Sequence, residues 1–472
     1  MVANKVIKNT EDISSKLDNI KNYLVAKSLD YFDIRQETIN TTSINIENKF
    51  KKNILENSRN GIGIRVLKNK KLGFCSFNYN QEDYKKIIDN TIDGLKYINK
   101  KTNLENFETN KDSVKFKYES FEDLDISKKV NELYKINLDF LEANKNERSE
   151  KILQSTIRYS EIYREKYFIS PYSEIYQQMP YQIMYSIITA KKNNIIESNI
   201  ARSGNIGGLE VISSSDKINL LNKNLKITKE LLNSASCPAK TSDILIDPEI
   251  AGLLAHEAIG HAAEADAVIN NSSVLKLNEK LSANKEVSII DDPTIKEFGY
   301  FKYDDEGIKA KPKTIVKKGI VNTFMTDLES SFKLKLNATG SSRAEDYSVM
   351  PIVRMSNTYF EKGTIKLEEI LQNFSGLFLT GFAGGETDPA VGTFMFGIKQ
   401  AIEYKNGKII NRYKQASISG NINNYLNKIS QVSNKLGEFD IGFCGKGGQR
   451  AFVSGGGPHL KITNATVGGT KH

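Results

Sequence analysis

The sequence predicts an α+β fold in two domains. Sandwich-like α/β modules with antiparallel strands come first, followed by a β-rich domain with a curled or barrel-like sheet carrying one distinctive helix. Three observations support this. The first half alternates amphipathic helical spacing with strand runs. The last third breaks into short strands separated by regular turn signals. Between them lies an apolar helix that carries two of the chain's four histidines. At 472 residues the chain is too long for one ordinary core. Ser236-Cys237-Pro238-Ala239 breaks the pattern. It divides an N-terminal α+β domain, 1–235 (submodules about 1–100 and 115–235), from a C-terminal domain, 236–472.

In order, residues 12–28 space Ile13, Leu17, Ile20, Leu24 and Val25 as a helix does. Residues 31–42 alternate as a strand. Asn60-Gly61 reads as a turn into a strand over 62–67, and 74–77 reads as its partner. Residues 81–99 are helical in pattern and 99–115 read as a linker. A helix is expected over 121–144, strands over 152–168 and 181–196, a turn at 204–208 and a helix over 216–235. Further strands are expected at 244–246, 287–291, 324–326, 351–355, 376–380, 393–402, 403–410 around Asn406-Gly407, and 460–467, with a hairpin around Lys318-Gly319. Short helices are expected over 367–373 and 422–435.

Composition narrows the function. The formal charge is +9, but the lysines are scattered and no dense basic stripe forms, so nucleic-acid binding is not expected. The first residues are polar, without an apolar run of signal-peptide length, and no stretch approaches a membrane span. Cys75, Cys237 and Cys444 are too few and too far apart for a disulfide framework. A soluble, cytoplasmic protein with free thiols is expected.

The distinctive helix begins at Asp247, a plausible N-cap, with Pro248 at the first helical position. It contains His256-Glu257-x-x-x-His261, one residue longer than the usual zinc-protease spacing. Residues five apart on an α-helix lie roughly 140° apart and do not share a face. For both imidazoles to reach one ion the helix must absorb a residue, most simply as a π-bulge, and Gly260 is where distortion is least restricted. A bulge or break is therefore expected between Ala258 and His261. Two histidines need a third protein ligand. Cys444, between glycines in what reads as an open turn, is the preferred candidate, with Lys446 and a metal both favouring its thiolate. Glu264 and His459 are the alternatives, and His472 is terminal. Glu264 and Asp266 are preferred as acceptors that orient the imidazoles.

Several segments, in order, resemble the TldD/PmbA metallopeptidase family, specifically its metal-binding TldD-type subunit. They are Leu245-Ile246-Asp247-Pro248-Glu249, the His256 to Asp266 motif, Asp304-Asp305-Glu306-Gly307, Thr339-Gly340, Pro351-x-x-Arg354-Met355-x-Asn357-Thr358, Gly384-Gly385 with Asp388-Pro389, and Cys444-Gly445-Lys446-Gly447-Gly448-Gln449. The match is specific over about 240–470, looser over 1–100 and faint between 110 and 235. Ala262-Ala263 and Ala265 depart from the usual pattern on the helix surface. The resemblance implies a zinc-dependent peptidase with one ion on His256, His261 and Cys444, and Glu257 as general base. It also implies a homodimer, or a heterodimer with a metal-free paralogue, that cleaves unfolded or leader peptides held in extended form.

Arg354 and Lys446 are the candidate substrate-side cations. Peptide addition to a strand edge is expected near Gly384-Gly385 or Gly455-Gly456-Gly457. Three competing readings remain. One is an enzyme resembling dipeptidyl peptidase III, with a glutamate as third ligand. The others are a non-catalytic peptide-binding or regulatory subunit, and a DNA-associated regulator.

Overall fold

Long alternating runs in the N-terminal half form one broad, twisted sheet. The computed structural model describes residues 10–147 and 149–469. Helix α1 (Thr10–Val25) precedes β1 (Tyr31–Glu47), β2 (Phe50–Lys68) and β3 (Lys71–Asn78), and α2 (Tyr84–Gly94) follows. Next come β4 (Lys111–Val114), α3 (Ile126–Ala143), β5 (Lys151–Ile169), β6 (Glu174–Lys192), β7 (Ile195–Ile206) and α4 (Ser214–Leu232). The strand order is β3-β2-β1-β5-β6-β4, with β7 also paired to β6. Leu17, Ile20 and Leu24 of α1 pack with Ile34, Ile62 and Ile64 under one end of the sheet. Leu133, Ile136, Leu221 and Leu225 of α3 and α4 cover Ile157, Met184 and Ile188 at the other.

Two sequence expectations are corrected here. Asn60-Gly61 is not a turn. It lies inside β2, where a Cβ on Gly61 would meet the Tyr347 ring at 2.1 Å and one on Gly63 the Tyr347 carbonyl at 2.2 Å. The glycines admit an incoming segment of the C-terminal half. The strand expected over 181–196 is two strands, β6 and β7, turning at Asn193, whose φ is +53°.

The C-terminal half supplies β8 (Ala235–Ser236), β9 (Lys240–Ile246), α5 (Pro248–Leu253), β10 (Ile289–Asp291), β11 (Lys313–Lys317) and β12 (Ile320–Val321). It continues with β13 (Ser342–Arg343), β14 (Ile352–Val353), β15 (Asn357–Phe360), β16 (Gly376–Asp388), β17 (Thr393–Lys405) and β18 (Lys408–Asn421). It ends with β19 (Ile429–Val432), β20 (Asp440–Lys446), β21 (Gln449–Gly456) and β22 (Leu460–Gly468). Strands β22, β9, β16, β17 and β18 pair in turn, and β18 pairs back to β22, which closes a five-stranded barrel. The second sheet runs β12-β11-β10-β15-β21-β20. The helix from Pro248 lies between the two, with Ile250, Ala251, Leu254, Ala255, Ala258 and Ile259 fully buried in the core they share. Among the described residues no helix is long and apolar enough to cross a membrane.

Three further corrections concern this half. The helix expected over 422–435 stops at Asn427, because Ile429–Val432 pairs with β22. Residues 324–326 make a single bridge, Met325 with Glu264, and no strand. The segment around Cys444 is strand β20, paired to β21. The turn lies at Gly447 and Gly448, whose φ of +57° and +75° suit a tight hairpin.

Candidate metal centre

Strand β9 delivers the chain to Asp247, whose side chain accepts from Ile250 N at 2.9 Å and from Thr380 Oγ1 at 2.6 Å. With Pro248 behind it, this cap starts α5 as expected. Residues Leu254–Gly260 are then π-helical, and the His261 N–H donates to the His256 carbonyl. That five-residue step places the two histidines over one another, and their ring centroids are 5.2 Å apart. The distortion begins a turn earlier than expected, and Gly260 has ordinary helical angles, φ −58° and ψ −55°. Its glycine character serves a close approach instead. A Cβ there would lie 2.0 Å from Met355 Sδ.

Strand β20 brings Cys444 to the same place across 183 residues of chain, with Sγ 3.2 Å from His261 Nε2. The ligand atoms of His256, His261 and Cys444 all lie within 4.8 Å of one another. Ligands in a tetrahedral shell at about 2.0–2.3 Å from an ion sit about 3.5 Å apart, so this donor set fits a metal ion. Glu264 Oε2 accepts from His261 Nδ1 at 3.1 Å, which turns Nε2 toward Cys444. His459 is elsewhere, beside Phe378 of the barrel. His472 lies outside the described residues.

Charge in the cluster is tightly balanced. Burial pushes the Cys444 thiol up, but the two imidazoles beside it bring it down to about 4. Burial pushes His261 down, while Cys444 and Glu264 outweigh that and hold it up to about 10. His256 is raised too, since Cys444 and Glu257 overcome its burial. The cluster thus favours a thiolate beside imidazoles that hold their protons more tightly than usual. A dication bound by His256, His261 and Cys444 would take the place of those protons.

The other sequence candidates fall into distinct places. The Glu257 side chain keeps 29% of its surface exposed, lines the cleft and lies 3.9 Å from His261 Nε2. Lys446 Nζ is bonded to Asp266 at 2.7 Å, Glu264 at 3.1 Å and the Val353 carbonyl at 3.0 Å. Asp266 thus holds Lys446 and touches neither imidazole. Arg354, read as a substrate-side cation, is 1% exposed and donates to the Cys444 and Gln449 carbonyls. Its guanidinium braces the β20–β21 hairpin from behind. Gly455 and Gly456 offer no free edge, because β21 pairs with β15 on one side and β20 on the other, and Gly252 of α5 packs on them.

Beside the three candidate ligands lies an open cleft of about 270 Å³. It is lined by the helix that carries His256, Glu257 and His261, by a wall of six consecutive residues of β20, Asp440–Gly445, and by Phe382 of β16. Side chains alternate along a strand, so consecutive lining residues mean that the backbone of this last strand of its sheet faces the cleft. Three residues there were not singled out from sequence: Glu249, Arg202 and Asp440. Glu249 was legible in principle, seven residues before His256 on one helix face. The other two come from distant strands.

Residues 239–469 match the PmbA/TldA metallopeptidase C-terminal domain, and residues 32–95 match PmbA/TldA metallopeptidase domain 1. A metalloprotease of Methanocaldococcus jannaschii is 33% identical over 449 residues, covering 93% of this chain and 97% of that one. A protein of Saccharolobus solfataricus named a zinc metalloprotease TldD homolog is 30% identical, covering 93% of this chain and 96% of that one. The same fold recurs in a Thermotoga maritima protein described as a modulator of DNA gyrase, with a TM-score of 0.79, 19% identity and coverage of 97% of this chain and 100% of that one. It recurs again in TldE of Thermococcus kodakarensis, with a TM-score of 0.76, 16% identity and coverage of 96% and 99%. The chain belongs to the PmbA/TldA metallopeptidase family.

Proposed function

We propose that the chain is a metal-bearing, TldD-type member that hydrolyses peptide bonds of unfolded or leader peptides held in extended form. The observation that carries this is the convergence of His256, His261 and Cys444 within 4.8 Å, with Glu257 opening onto the cleft beside them. Two imidazoles and a thiolate suit zinc, in keeping with the name of the S. solfataricus relative, and one ion per chain is proposed. A bound zinc would act as a Lewis acid and acidify water. Glu257, next in sequence to a ligand, takes the proton of the attacking water and returns it to the leaving amine. Glu264 fixes the tautomer of His261, while Arg354 and Lys446 hold the Cys444 strand and Glu264 in place. The substrate backbone pairs with the exposed edge of β20, or with β16 beyond Thr380, where β9 no longer pairs. The active form in this proposal is a dimer, of this chain with itself or with a metal-free paralogue.

Glu257→Ala tests the reading. The variant should retain its metal, while cleavage of an unfolded peptide falls by about a hundredfold or more. Undiminished cleavage would remove Glu257 from the mechanism, and no cleavage by the metal-loaded, unsubstituted chain would leave a peptide-binding subunit.

A further inference from the structure

The end of the cleft away from His256, His261 and Cys444 holds a carboxylate that makes no salt bridge among the described residues. Glu249 stands two turns before His256 on the same helix, roughly 10 Å along the axis. It is half-buried, and one oxygen accepts from Phe382 N at 3.2 Å. The residue lines the cleft. Three carboxylates gather here: Asp247, Glu249 and Asp440. Two cations face them, Arg202 and Lys399, and neither makes a salt bridge to Glu249 among the described residues. Arg202 grips Asp440 through Nε, 2.9 Å from Oδ1, and through Nη2. Lys399 Nζ donates to the Ile200 carbonyl at 2.8 Å. The group is one positive charge short.

We propose that this end of the cleft is a subsite for a cationic group of the substrate, an ammonium or guanidinium seated against Glu249 and Asp440, three or four residues from the bond that is cut. The spacing follows from the wall. Asp440 and Cys444 lie four residues apart on the β20 stretch that lines the cleft, about 13 Å at strand rise. A peptide laid along β20 with its reacting carbonyl at the metal therefore places a residue three or four positions away beside Glu249. The electrostatics agree. Burial, with Asp440 and Asp247 close by, pushes Glu249 up to about 7, the mark of an uncompensated carboxylate that a docked cation would relieve. The cation has two possible sources, the N-terminal ammonium of a peptide or a lysine or arginine side chain. The inference rests on the proposal that extended peptides are the substrates.

The test measures affinity, so that it does not depend on cleavage. Short alanine-based peptides carry one lysine at each position in turn, each with a norleucine counterpart and with a free or acetylated N-terminus. Binding is measured by calorimetry to the zinc-loaded full chain bearing Glu257→Ala, which leaves peptides intact. A positive group at one fixed position should tighten binding about tenfold over its neutral counterpart. Adding Glu249→Gln should bring that ratio to about one, and Glu249→Asp should keep part of it, which excludes a merely unfolded variant. Loss of the preference on acetylation identifies the N-terminal ammonium, and loss with norleucine identifies the side chain. Equal affinity for charged and neutral peptides, a preference that survives Glu249→Gln, or no binding by any peptide would overturn the subsite. Failure of the Glu257-intact chain to cleave peptides that do bind would instead overturn the peptidase reading and leave the subsite standing.

Discussion

His261 shows how much one side chain depends on its neighbours. Its Nε2 faces Cys444 Sγ at 3.2 Å only because its Nδ1 is held by Glu264 at 3.1 Å. Glu264 is 1% exposed and kept ionised, since His261 and Lys446 outweigh its burial. Glu264→Gln should therefore weaken metal binding by about 10- to 100-fold, read by competition with a chromogenic chelator. Unchanged affinity would mean that the ring is oriented by packing alone. At this scale the sequence exposed the chemistry but not all the partners. His256, Glu257, His261 and Cys444 announce themselves as scarce residues in an unusual pattern. Lys446 sits two residues from Cys444 on the same face of β20 and reads as its activator, yet its ammonium goes to Glu264 and Asp266. Arg354 reads as a ligand-facing cation, and only the fold shows that its partners are backbone carbonyls.

Two elements make the site. The π-helical turn solves the extra-residue spacing, and the β20–β21 hairpin carries the thiolate to it. The need for a distorted helix followed from counting residues around a turn, because period is a local property. The hairpin was hidden, because Gly442, Gly445, Gly447 and Gly448 erase the alternation by which strands are recognised. For the same reason Gly61 and Gly63 read as a turn although Tyr347 packs on them in mid-strand. Glycine that makes room for a distant segment looks, in sequence, like glycine that bends the chain. Gly260 belongs to the first kind. Gly260→Ala should push on Met355, lower the melting temperature and weaken metal binding, and adding Met355→Ala should restore much of both. A single variant indistinguishable from the unsubstituted chain would show that the helix does not depend on this contact.

Across the whole molecule, a buried ionic network joins the two halves. Arg65 of β2 donates to Asp33 and to Glu306 at 2.6 Å, and Lys166 of β5 pairs with Asp305 at 2.8 Å. Asp304-Asp305-Glu306-Gly307 reads from sequence as an acidic, Gly-flanked turn, and the fold buries it against cations of the other half. Burial pushes Glu306 up to about 7 even though Arg65 opposes it, against an ordinary 4.5. Folding thus takes up a proton between these values. The associated stability is present below about 4.5 and lost as pH rises through about 7. Asp305 runs the other way, held at about 2 by Lys166 and Arg35 despite its burial, so its contribution is lost only as pH falls through that value. The melting temperature should fall between about pH 5 and pH 8, and less steeply in Glu306→Gln. Identical slopes would place the pH dependence elsewhere. The barrel was legible as a curled sheet from its turn spacing, but its closure by pairing of β18 with β22 depends on residues about fifty positions apart and has no local signature.

The most direct test of the metal centre spans both distant segments at once. Metal content by elemental analysis, on the full chain and on Cys444→Ala after both are supplied with zinc, should give about one ion per unsubstituted chain and little or none in the variant. Full retention of zinc by Cys444→Ala, or no metal in either protein, would contradict a His256–His261–Cys444 site.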